Sequence, residues 1–223
     1  MAEVNPRTLF LEILSNDFHP ILKRLGFEGK GQKYKRIKEE VVEFLEIEGS
    51  KWDGVCYVEM GIFPLMFLDT PWEDKKISDA KKITFADCPI HFRLKSKSGS
   101  DSWSYGKGDD SQAKESVKRL VQAYSENGEP IFQRADSLSK LSNCYFETAI
   151  NAYSKIEDFG IFNTNIPPLM AQVHFHLGNL DLAVKFLRGG IEYFQKEPNA
   201  WRFKESIDKL QSAISEIEKI RQM

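Results

Sequence analysis

Cysteine and histidine are scarce, with three and four residues among 223. Cys56, Cys88 and Cys144 are widely separated and odd in number, which excludes a disulfide framework and any C-x-x-C metal or redox motif. They are read as buried structural thiols, since unpaired cysteine is among the most buried residue types. His19 and His91 have no thiol or acidic partner at ligand spacing, and His174 and His176, two apart in a helix, point about 200° apart around its axis. No zinc site follows from that pattern. Long apolar runs are missing as well. The longest, residues 61–68, falls far short of the roughly 20 residues that a membrane span needs, and residues 1–8 lack the charged-then-apolar order of a secretory signal. With a formal charge of -2 and a pI near 6.1, no global field of either sign selects a partner. A soluble cytoplasmic protein with no membrane partner is the expectation.

The signatures of common chemistry are also absent. Gly106-Lys107-Gly108 precedes a helix, but neither phosphate-loop pattern is present, and Asp109 and Asp110 put negative charge where a phosphate would sit. A capped helix start is the better reading. No serine lies in a G-x-S-x-G elbow and no H-E-x-x-H occurs, so no catalytic constellation and no cofactor can be named. An enzyme would need a dispersed site that converges only in three dimensions.

What is there is an ordinary globular composition, 41% hydrophobic and 29% charged, which buries a substantial core. Residues 8–25 place Leu9, Ile13, Leu14, Phe18, Ile21, Leu22 and Leu25 on one helical face. Pro20 should kink or restart that helix, with Asn16 or Asp17 as cap and Gly26 as its end. From residue 32 to 62 the period shortens towards two. Residues 41–47 and 56–62 read as antiparallel strands joined by a hairpin loop over 49–54. Residues 64–86 read as a long excursion, with one short helix allowed. Ile90, Phe92 and Leu94 mark a further strand, and Trp103 and Tyr105 follow a polar turn. Residues 111–124 return to helical spacing behind Asp109 or Asp110, with Gly128 and Pro130 as the stop. Beyond that point Leu138, Leu141, Tyr145, Ala149, Ala152 and Ile156 keep a helical period. The expected fold is α+β, an antiparallel sheet packed with helices over residues 1–135, followed by an all-helical extension over 136–223.

The order of a helix ending Leu22-Lys23-Arg24-Leu25-Gly26-Phe27, the basic Gly31-Gln32-Lys33-Tyr34-Lys35-Arg36, two strands, Cys88-Pro89-Ile90-His91-Phe92-Arg93-Leu94 and then Trp103 resembles the bacterial domain of unknown function numbered 4304, over about residues 7–141. That resemblance implies an α+β fold and no assigned activity. Residues 170–194, with Leu177-Gly178-Asn179-Leu180-Asp181-Leu182-Ala183, resemble one helical hairpin of a tetratricopeptide repeat, and Ala149 precedes Ala183 by that repeat's 34-residue period. Pro167 and Pro168 interrupt the register, so a single hairpin packed on the main domain is expected. The last helix, from about Asn199, carries Phe203, Ile207, Leu210, Ile214 and Ile217 as an a/d seam, read as packing on that hairpin, with a contact to another chain as the alternative.

Candidate binding residues are few. Residues 23–38 hold seven basic residues against one acidic. Lys33 and Lys35 there are a candidate phosphate or nucleic-acid contact, weighed against a lysine-guarded edge strand neutralised by Glu39, Glu40, Glu43, Glu46 and Glu48. Trp52 on a loop and Trp103 after a strand, with Arg93 beside the latter, are a candidate protein-contact surface, weighed against packing in the core, which is the commoner place for a large aromatic. The functional expectation is a protein-interaction module, inhibitor-like or immunity-like, partnered by another protein. A dispersed-site enzyme and a weak nucleic-acid binder through residues 23–38 are the alternatives.

Overall fold

A computed structural model describes residues 5–50, 54–68, 79–144 and 166–222. The chain opens with α1 (Pro6–Asp17), whose N-cap Asn5 accepts hydrogen bonds from the amides of Arg7 and Thr8. α2 (His19–Arg24) follows almost without a break. Neither Asn16 nor Asp17 caps it, contrary to expectation. The junction is Phe18, which stays in the right-handed helical region and bonds back to Leu14, so no side-chain cap is needed. Pro20 sits in the first turn of α2, where its missing N–H costs nothing. Gly26, at φ +86°, ends the pair as expected.

Among the described residues the sheet has six antiparallel strands: β1 (Glu28–Lys30), β2 (Lys33–Ile37), β3 (Val41–Gly49), β4 (Val55–Pro64), β5 (Ile90–Arg93) and β6 (Ser102–Ser104). Its order is β1-β2-β3-β4-β5, with β6 also on β4. The long β3–β4 hairpin is the one that the alternation predicts. The basic segment differs from expectation, because β2 lies one strand inside the edge and the three-residue β1 is the edge itself. Between β4 and β5 the chain forms short 3-10 turns at Leu65–Leu68, Ala80–Lys82 and Phe85–Asp87.

α3 (Asp110–Ala123) starts on Asp109, whose carboxylate accepts from the amides of Ser111 and Gln112. Gly128 and Pro130 do not stop it. The chain passes through a π turn, Tyr124–Gly128, into α4 (Glu129–Arg134), where proline again takes a first-turn position. α5 (Leu138–Cys144) follows, then α6 (Ile166–His176), α7 (Leu180–Lys196) and α8 (Lys204–Arg221). Tyr145, Ala149, Ala152 and Ile156 lie outside the described residues. The last three helices pack in sequence, α6 on α7 and α7 on α8, while α6 also touches α5 and the Leu65–Leu68 turn. The seam of α8 turns towards this bundle, with Leu210, Ala213 and Ile217 buried. Among the described residues no helix is long and apolar enough to cross a membrane.

One face of the sheet is closed. Val41, Leu45 and Ile47 of β3, Cys56, Val58, Met60 and Ile62 of β4 and Trp103 of β6 face the helices, against Phe10, Phe18, Leu22, Val117 and Tyr124. Into this layer β2 also turns Arg36, and β3 turns Glu43, both buried. The Arg36 guanidinium lies over the rings of Phe27 and Phe132, bonds Glu43, reaches the Leu25 carbonyl at 2.8 Å and forks onto Glu129 with two 3.1 Å bonds. Lys38 stands 3.0 Å from the other Glu43 oxygen, and the Tyr124 hydroxyl donates to Glu129 at 2.7 Å. Burial works against the charge on Arg36, but Glu43 and Glu129 outweigh it and hold its pKa above the ordinary value. Burial lifts the Glu43 carboxyl above the ordinary range even against Arg36 and Lys38. A charged cluster so placed fixes the register of β2 and β3 and the position of α4 at once.

Candidate binding trough on the open face of the sheet

Among the described residues the opposite face is only partly covered. Side chains alternate along a strand, so Lys33, Lys35 and Ile37 point away from the helices, as do Val42, Phe44 and Glu46 on β3. The register sets them in rows: Lys33 opposite Glu46, Lys35 opposite Phe44 with Glu28 on its other side, and Ile37 opposite Val42. The Phe44 row continues across β4 at Gly61 and β5 at His91. Gly61 leaves room there for Phe85, which stacks on His91 with ring centroids 4.8 Å apart. A Cβ at Gly61 would stand 3.0 Å from the Phe85 ring and from the Cys88 sulfur. Ile83 joins Val42, Phe44 and Phe63 in a small second core on this side.

The 79–87 segment therefore forms a wall over β3 and β4 and stops short of β1 and β2. What remains is an open trough of about 670 Å³, with Ile37, Phe44, Ile83 and Phe85 as its apolar lining and Lys33, Lys35 and Lys81 on its rim. Ile37 is 47% exposed, as open as few other large apolar side chains among the described residues. Lys35 crosses the trough. Its ammonium lies 5.4 Å from the Phe44 ring centroid and donates to the Lys81 and Ile83 carbonyls, both at 2.9 Å. Burial lowers its pKa, against the pull of Asp79. This lysine holds the wall to the floor.

Of the residues singled out from sequence, Lys33 and Lys35 come together here. Lys33 pairs with Glu46 at 3.0 Å, and with Arg36 and Lys38 engaged by Glu43, much of the basic run is neutralised across the β2–β3 hairpin. Arg93 is on the same face but outside the trough, at the end of the row Lys33–Glu46–Glu59–Arg93, and is bonded to Glu59 at 2.6 Å and Asp101 at 3.3 Å. The aromatic ring beneath its guanidinium is Tyr57, 4.3 Å away, and not Trp103. Trp103 is 4% exposed and belongs to the core, because β6 pairs it with Cys56 on the helix side of β4. The expected Arg93–Trp103 surface does not form. Trp52 lies outside the described residues.

Ile37, Phe44, Ile83, Phe85 and Lys81 escaped the sequence reading. The available signal was β3 itself, whose near-continuous Val41-Val42-Glu43-Phe44-Leu45 run marks a strand covered on both faces. Trp201 was also passed over and is 73% exposed beside Arg202, at the far end of the α7–α8 pair from Leu177 and Ile220. Among the described residues no group of three or more His, Cys, Asp and Glu is placed to hold a metal ion. The Cys56 thiol is pushed up to about 12 by burial, and burial also raises Cys88.

Comparison with known proteins adds one match. The family described as a domain of unknown function (DUF4304) matches residues 18–134, just over half of the chain. That span holds all six strands, the trough and the Arg36–Glu43–Glu129 cluster. No curated protein and no solved structure matches.

Proposed function

The chain belongs to the DUF4304 family, and we propose that it is a cytoplasmic protein-interaction module that receives its partner in the trough over β2 and β3. The site is assigned to the domain of residues 1–135, and the extension of residues 136–223, with its tetratricopeptide-like hairpin, is read as a separate helical part of the chain. One observation carries the reading. An apolar lining of Phe44, Ile83 and Phe85 ends in the half-exposed Ile37 and opens between lysines beside the short edge strand β1, which supports a contact site. Two alternatives have less support. For an enzyme, the trough offers Lys35 as a titratable group shifted by burial, but both its bonds to carbonyls tie it to a structural task. For a nucleic-acid surface, the pairing of Lys33, Arg36 and Lys38 with carboxylates removes much of the charge that phosphates would need.

The test is capture from native lysate with tagged wild-type protein and with Ile37→Asp, each with and without nuclease. A protein retained by the wild type after nuclease and absent from Ile37→Asp supports the reading. Retention unaffected by Ile37→Asp, or abolished by nuclease, contradicts it.

A further inference from the structure

We draw no further inference here: the strongest candidate, the open trough over β2 and β3, carries none, because the carboxylates of Glu28, Glu46 and Asp79 offset its lysines and nothing in the structure shows what covers it.

Discussion

Arg36 and Ile37 are neighbours in sequence, and the pleat of β2 sends them to opposite faces of the sheet. Arg36 enters a layer closed by helices, where it contacts two aromatic rings and two carboxylates. Ile37 enters a trough that the 79–87 segment leaves open. The less natural burial is thus the better satisfied one. A charge is admitted to the interior because every direction around it offers a partner, while an aliphatic side chain, which costs nothing to bury, stays half in water. An interior ion cluster specifies register and helix placement; an uncovered apolar side chain specifies nothing within the fold and is available to something outside it.

The sharpest way to break the closed face is Glu43→Ala. It strips Arg36 and Lys38 of their shared carboxylate while leaving both in place, and loss of one member of a buried pair costs about 3–5 kcal/mol. A large drop in the denaturant midpoint at unchanged slope is the expected result. On the open face the largest stability effect should come from Gly61→Val, whose side chain would press on the Phe85 ring and the Cys88 sulfur. Overpacking of this kind costs about 1–3 kcal/mol. Because the strain falls on the wall of the trough, Gly61→Val should also alter ligand binding, which Glu43→Ala should affect only through folding.

A smaller effect tests the C-terminal helices, where His174 is buried and stacked on Phe186 at 5.3 Å. Burial lowers its pKa below the usual 6.5. The unfolded chain then binds a proton that the folded chain refuses, so stability is full above about pH 6.5 and is lost as pH falls below it, until the folded group also titrates. His174→Phe, which keeps a stacked ring, should flatten that acid-side decline in thermal melts taken between about pH 5 and about pH 8. An unchanged decline would place the sensitivity elsewhere.

Much of the closed face was legible in the sequence because its signals are local. The alternation through Cys56, Val58, Met60 and Ile62, the Asp109 cap and the α+β order all depend on near neighbours. The errors came where distant groups decide. Gly128 and Pro130 look like a stop, yet the helix passes through them by a π turn, with buried Gly128 set against the Tyr124 ring and Leu94. Lys33 and its partner Glu46 were visible as a charge pattern, but the Glu129 arm of the cluster lies 93 residues from Arg36. The trough was invisible for the same reason. Its floor is assembled from β2, β3 and the 79–87 segment, and nothing in the linear order marks Phe85 as standing over Gly61. Trp103 took the packing alternative, because a tryptophan after a polar turn suits the inward side of a short strand as well as a surface loop.

The most direct test of this division between faces is Ile37→Asp, measured for both stability and binding. A change at a half-exposed strand position should lower the unfolding free energy by no more than about 1 kcal/mol while abolishing the nuclease-resistant partner. A clear fall in stability would mean that Ile37 serves the fold, and intact binding at intact stability would mean that the partner docks elsewhere; either result would contradict the account.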